Sequence, residues 1–145
     1  RIEMGHIAGS ELDGRTIPYD NSLEGLVSKK KDFIGKRSLE REAFIAEDRQ
    51  KVVGVVPIDK KTSIPEGSHL VKDAMAPTPN PKLGYISASC WSVEYDNPFS
   101  LAILKDGKNM IGQKLFAMSP LKNKTIPVEI VSSHYVDPKG ERVRS

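Results

Sequence analysis

Six short apolar runs, separated by turn residues between Val52 and Val131, constrain the fold of this chain more than any other feature. Val52-Val53-Gly54-Val55-Val56-Pro57-Ile58 is β-branched and stops at a proline. Ser68-His69-Leu70-Val71 follows the turn signal Pro65-Glu66-Gly67, and Leu83 to Trp91 is the longest candidate strand. Ser100-Leu101-Ala102-Ile103-Leu104 leads into Asp106-Gly107, a pair that favours tight hairpins because both residues tolerate positive φ. Lys114 to Met118 and Thr125 to Val131 complete the set, the last alternating apolar and polar residues as a half-buried strand does. Short strands with turns at this spacing predict a small antiparallel β-barrel or sandwich of about six strands, a mainly β fold with short helices (α+β).

Residues 1–50 have a different texture. Gly9 to Asn21 is rich in Gly, Asp, Ser and Pro, which is loop chemistry. Phe33 to Phe44 predicts a helix capped by Asp32, with Phe33, Leu39 and Phe44 near one face. The expected organisation is a loop and helical segment over 1–50 that completes an upstream domain, then a β-barrel domain over 51–145. A barrel of that size is expected to fold alone, whereas residues 1–50 are expected to need partners outside the chain. Pro77, Pro79 and Pro81 remove three backbone donors, so that stretch predicts an exposed extended loop and not a central strand.

No apolar window approaches the roughly 18 residues that cross a bilayer, and no cationic stretch leads into an apolar run as in a signal peptide. With a single cysteine, Cys90, the chain cannot form an internal disulfide, and a cytoplasmic protein is expected. The net charge is +3 with the two signs mixed along the chain, so neither a membrane nor nucleic acid is an expected partner. The densest basic run, Lys29-Lys30-Lys31 with Lys36-Arg37 just after it, reads as solvated surface more readily than as a phosphate site.

A search for catalytic chemistry finds little. There is no Cys/His spacing for zinc, no G-x-G-x-x-G after a strand and no G-x-S-x-G elbow. His6, His69 and His134 fall in three different elements. Cys90 sits among small and apolar residues with no histidine nearby in sequence, which suits a buried thiol more than a nucleophile. No catalytic residue and no metal ligand is predicted. Tyr135, just past the last strand, is the candidate ligand contact: it can stack on a flat ring and donate its hydroxyl, or it can pack on the barrel mouth. Trp91 reads as core or interface.

Several blocks carry a family resemblance. Arg1-Ile2-Glu3-Met4-Gly5-His6-Ile7, Thr16-Ile17-Pro18 and Leu26 to Leu39 resemble the folate-dependent aminomethyltransferase family, whose prototype serves the glycine cleavage system. Asp32-Phe33-Ile34-Gly35-Lys36-Arg37-Ser38-Leu39 is the most specific block, and Gly84-Tyr85-Ile86-Ser87-Ala88-Ser89 is similar to a later strand of the family. Leu101 to Gly107, Ile111-Gly112 and Tyr135-Val136-Asp137-Pro138-Lys139-Gly140-Glu141-Arg142 are similar to the end of the alpha-subunit group of heterotetrameric sarcosine oxidases. Cys90 to Pro98 departs from the basic turn that relatives often carry there. The resemblance covers essentially all of this chain and only the last part of the family's length, so a C-terminal piece of a larger protein is expected.

The resemblance implies an oxidoreductase context. Such enzymes oxidise the N-methyl group of sarcosine, yield glycine and hydrogen peroxide, and pass the one-carbon unit to tetrahydrofolate or release it as formaldehyde. Tetrahydrofolate is the cofactor implied for this region; FAD, FMN and NAD are expected in other regions or subunits. The implied partners are the remaining alpha-subunit domains and the other subunits. The family's acidic and arginine folate contacts lie upstream, and Tyr135 stands where the prototype has a folate-contacting tyrosine. The chain by itself is expected to be inactive. Two other readings remain open: a fragment of a glycine cleavage aminomethyltransferase, and a non-catalytic β-barrel that binds RNA or folate.

Overall fold

Along Lys124–Val131 the side chains of Ile126, Val128 and Ile130 are buried while Lys124, Thr125 and Pro127 are exposed. That period of two is what one buried and one solvated sheet face produce. Lys51–Pro57 and Asn97–Leu104 behave differently, because almost every residue in both is buried. Strands covered on both faces read as continuous apolar runs, which accounts for Val52-Val53-Gly54-Val55-Val56.

The computed structural model describes residues 1–75 and 81–144. Its strands are β1 (Lys51–Pro57), β2 (His69–Val71), β3 (Gly84–Ser92), β4 (Asn97–Leu104), β5 (Lys114–Ser119) and β6 (Lys124–Val131). All pair antiparallel, in the order β1-β4-β3-β2-β5-β6, and β6 returns to β1 to close a barrel. The expected mainly β fold is thus a barrel and not a sandwich. Val53, Val55, Ile86, Leu104, Leu115 and Val128 belong to the interior cluster, joined by Ile64 and Met110 from the loops at its ends. A second cluster unites Val52, Val56, Phe99, Leu101 and Ile103, the alternate residues of β1 and β4, and so lies outside the barrel wall.

That outer layer is covered by the two ends of the chain. Ile2 and Ile7 from the first residues and Tyr135 from the last pack against it. The carbonyl of Glu3 accepts the N–H groups of Tyr135 at 2.9 Å and Val136 at 3.0 Å, which ties the ends together. Asp20 locks the first segment to β1: its carbonyl accepts Val52 N–H at 2.7 Å, and its carboxylate takes Arg49 Nε at 2.6 Å, Arg49 Nη2 at 2.8 Å and Ile17 N–H at 3.1 Å. Residues 22–51, in contrast, include no buried residue.

Two expectations need correction, and a third is narrowed. The helix expected over Phe33 to Phe44 is two single turns, α1 (Lys36–Leu39) and α2 (Glu42–Ile45). Gly35, at φ 96°, starts α1, and extended backbone at Arg41 separates the two. Asp32 does not cap a backbone N–H; it holds Lys36 Nζ at 3.1 Å. No residue of either turn is buried, so nothing supplies the tertiary packing that sustains a longer helix. Asp106-Gly107 does turn, with Asp106 at φ 55°, but β4 and β5 are not neighbours. Both edges of β4 are taken by β1 and β3, and the loop crosses the barrel end to seat Met110 in the interior. Tight hairpins fall instead between β3 and β4 and between β5 and β6. Trp91, expected in core or interface, is no core residue: it is 48% exposed and donates its indole N–H to Asp96 at 3.2 Å. Pro77 and Pro79 lie outside the described residues.

Gly54 pairs with Leu101 of β4 and Val131 of β6, so it sits where the barrel closes. A Cβ there would stand 2.3 Å from the Ser132 carbonyl oxygen and 2.7 Å from the Phe99 ring. Gly54→Ala is expected to lower the unfolding free energy by about 1–3 kcal/mol, the usual penalty for overpacking, read as a lower urea midpoint. An unchanged midpoint would show that this seam yields to an added methyl group.

Candidate functional site

Tyr135 is held from three directions. Its ring lies parallel to Phe99, 7° between planes and 4.5 Å between centroids. Tyr95, in the β3–β4 turn, meets it at 4.6 Å and 59°. The Asn97 amide faces the hydroxyl, with Nδ2 at 3.1 Å and Oδ1 at 3.4 Å from Oη. Asn97 is 6% exposed, so the amide and hydroxyl satisfy each other in a largely dry place. Tyr135 therefore does pack on the barrel, yet it remains partly exposed, beside a Tyr95 that is half exposed. The result is an aromatic shelf that presents ring edges and one fixed hydroxyl.

The residues after Tyr135 brace this shelf. Asp137, at φ 48°, accepts Glu141 N–H at 2.8 Å and Arg142 N–H at 3.0 Å, which caps α3 (Glu141–Arg144). Gly140 takes φ 64°, a turn conformation that costs other residues strain. Arg142 Nη2 then reaches Glu94 Oε1 at 2.6 Å and pins the tail to the β3–β4 turn; that hydrogen bond holds the Glu94 carboxyl below its usual range. Sequence reading singled out Tyr135 as a candidate but not the Phe99, Tyr95 and Asn97 that surround it. Asn97 stands 38 positions from Tyr135, and only the barrel register brings them together.

Other polar groups are poorly placed for chemistry. Burial pushes the Cys90 thiol up, aided by the Glu3 charge, so it remains protonated and weakly nucleophilic. Burial also raises the Tyr85 phenol, whose hydroxyl donates to the Ser10 carbonyl at 3.4 Å. His6 lies in the N-terminal turn, His69 in β2 and His134 beyond β6, where its Nδ1 is 3.2 Å from Ser133 Oγ. Among the described residues no group of three or more His, Cys, Asp or Glu side chains is set to hold a metal ion. An open groove beside Tyr85 carries Arg15, Arg49, Lys82 and Lys105, but Asp13, Asp20 and Asp48 answer three of these cations. Glu11 is fully buried; its Oε2 accepts Ala8 N–H at 2.9 Å and lies 3.7 Å from Arg1 Nη1.

Comparison with known proteins decides the kinship. No family model matches the chain. Sarcosine oxidase subunit alpha of Rhizobium meliloti (strain 1021) is 35% identical over 144 residues, 99% of this chain. The same subunit of Corynebacterium sp. (strain P-1) and of Corynebacterium sp. (strain U-96) is 37% identical over 145 residues, 98% of this chain. Over nearly its whole length this chain is similar to part of sarcosine oxidase subunit alpha. It spans 15% of the length of those relatives. Its fold is that of a glycine cleavage system aminomethyltransferase T from Bartonella henselae, at TM-score 0.72 over 95% of this chain and 37% of the other, with 20% identity. The fold resemblance and the tail resemblance read from the sequence thus both hold. Among the described residues no helix is long and apolar enough to cross a membrane.

The structure gives the sarcosine-oxidase-like tail motif local work: Tyr135 stacks, Asp137 caps, Gly140 turns and Arg142 ties. The Asp20–Arg49 pair sets the position of the N-terminal segment that covers Phe99. Asp20 is 1% exposed, and removing its charge leaves a guanidinium that is 20% exposed without its partner. Asp20→Asn is expected to cost about 3 kcal/mol in the unfolding free energy, as breaking a buried pair from one side does. Thermal unfolding of wild type and variant side by side measures it; equal melting temperatures would show that Asp20 does not anchor the segment.

Proposed function

We propose that this chain is the C-terminal part of a heterotetrameric sarcosine-oxidase-like alpha subunit and forms one wall of its tetrahydrofolate site. The observation that carries this reading is the match to sarcosine oxidase subunit alpha across 98–99% of the chain, on an aminomethyltransferase T fold. The intact enzyme would oxidise the N-methyl group of sarcosine with oxygen as acceptor and yield glycine and hydrogen peroxide. Tetrahydrofolate, when bound, supplies the nitrogens that take up the one-carbon unit. FAD, FMN and NAD belong to other regions or subunits, which are also the partners of this chain, in the cytoplasm.

The chain's own part in that reaction is to hold and orient. The Tyr135 hydroxyl, fixed by Asn97 and backed by Phe99, and the half-exposed ring of Tyr95 fit the edge of a flat heteroaromatic ligand. With Phe99 stacked on the Tyr135 ring and Tyr95 against it, the contact is a hydrogen bond accepted by the hydroxyl lone pair that Asn97 leaves open, and not a sandwich. Positioning of this kind contributes by fixing geometry, and it needs no nucleophile or base from the chain itself. The remaining wall, with the acidic and arginine contacts expected of the family, lies upstream of Arg1.

Calorimetric titration of the full-length protein with tetrahydrofolate tests the reading. Tyr135→Phe is expected to weaken binding about fivefold, the equivalent of one hydrogen bond near 1 kcal/mol. A full-length protein that takes up no tetrahydrofolate would sink the reading. Unchanged affinity in the variant would remove Tyr135 from the site and leave the rest standing. The chain alone, assayed for oxygen consumption with sarcosine, is expected to show none.

A further inference from the structure

A phenol hydroxyl has a proton to donate and lone pairs with which to accept. At Tyr135 the proton and one lone pair are already engaged. Asn97 Nδ2 stands 3.1 Å from Oη and donates to it, and Oη stands 3.4 Å from Asn97 Oδ1, which takes the phenol proton. The same holds with the amide turned over, because a carboxamide presents one donor edge and one acceptor edge whichever way it faces. What Asn97 leaves is a lone pair. Neither partner is free to turn away. Asn97 is 6% exposed and lies in register with Ser92, which is fully buried and whose Oγ accepts Tyr95 N–H at 3.3 Å. Phe99 fixes the plane of the Tyr135 ring, and the Glu3 carbonyl fixes its backbone.

We infer that Asn97 is a specificity-determining residue of the site: by holding the Tyr135 proton it makes the hydroxyl an acceptor toward the ligand, and so selects a ring whose nitrogens carry hydrogen over one whose nitrogens are bare. This rests on the proposed reading of the shelf as part of a tetrahydrofolate wall. The chemistry of that ligand class gives the selection its force. The reduced ring of tetrahydrofolate carries N–H groups on its saturated half, where the oxidised ring of folic acid has bare lone pairs. That half also includes a nitrogen that takes up the one-carbon unit, so a contact that orients the ligand for transfer meets the edge on which the two forms differ. An acceptor set against an N–H gains a hydrogen bond. An acceptor set against a lone pair leaves two sheltered polar atoms without partners, which is the larger effect. Sites built on hydrogen bonds therefore separate ligands of one shape more steeply than apolar pockets do. Asn97 acts through Tyr135 and touches no ligand itself. A phenol without it would turn its proton toward either ring and discriminate little.

Binding of tetrahydrofolate and of folic acid to the full-length protein, measured without oxygen, tests this through the ratio of the two Kd values. Wild type is expected to hold tetrahydrofolate about tenfold more tightly than folic acid. Asn97→Leu frees the phenol proton, and the ratio is expected to fall about threefold or more, mainly through tighter binding of folic acid. Asn97→Asp still accepts the phenol proton and is expected to keep the ratio near that of wild type, a rescue that a merely structural role would not produce. In a Tyr135→Phe background, Asn97→Leu is expected to leave the ratio unchanged. Equal affinity of wild type for the two ligands would overturn the inference. So would an Asn97→Leu variant that loses both ligands in equal proportion, or whose effect persists without the Tyr135 hydroxyl. Should Asn97→Leu not fold, Asn97→Asp and Tyr135→Phe carry the test: the ratio falls in the second and not in the first, and the reverse pattern overturns the inference. A protein that takes up neither ligand loses the functional reading and this inference with it; one that takes up both alike keeps the functional reading and loses the role of Asn97.

Discussion

The barrel depends on a missing methyl group. Gly54 is in register with strands on both sides, opposite Leu101 on β4 and Val131 on β6, and so stands at the seam where the first strand meets the last. With no Cβ in the way, the Ser132 carbonyl and the Phe99 ring can both close on β1. Phe99 becomes fully buried there, and its other face is the platform on which Tyr135 lies at 4.5 Å. One backbone constraint therefore closes the sheet, fills the outer layer and positions the candidate ligand contact. A shift at the seam would be felt at Tyr135 without any residue of the shelf being changed.

The two chain ends do more than finish the fold. β1 and β4 are apolar on both faces, so a bare barrel would show Val52, Val56, Leu101 and Ile103 to water. Residues 1–21 and the tail after β6 cover them, and they are held by polar contacts that apolar packing cannot replace: Glu3 to Tyr135, Asp20 to Arg49, Arg142 to Glu94. The first two are sheltered and directional. The last is exposed and worth little on its own, which makes Asp137 and Gly140 the more important parts of the tail because they set its path.

How much of this could be read in the sequence follows from the range of each interaction. Strand existence is local, and all six runs between Val52 and Val131 became strands, because β-branched content and turn residues act over a few positions. The alternation of β6 even gave the inward set Ile126, Val128 and Ile130. Pairing is not local. Asp106-Gly107 has the chemistry of a hairpin and makes the turn, but its neighbours on the sheet were already decided by β1 and β3. The stretch from Phe33 to Phe44 has helical spacing, yet spacing predicts a helix only where a face is buried, and here Phe44 turns toward the Arg49 guanidinium at 5.0 Å instead. Tyr135 was legible as a residue at a strand end; the partners that fix its hydroxyl and ring were not, since Asn97 and Phe99 reach it only through the register of β4 in a closed barrel.

These constraints also define what the chain can contribute to chemistry. Its partly buried thiol and phenol are both pushed toward their neutral forms, and its histidines stand apart in separate elements. Proton transfer and nucleophilic attack thus have no assembled apparatus among the described residues. What the fold does assemble is rigid: a hydroxyl set by an amide that is almost dry, on a ring set by another ring, on a strand set by the seam of the barrel. Rigidity of that kind is useful only if the other wall of the site is held in a fixed relation to it.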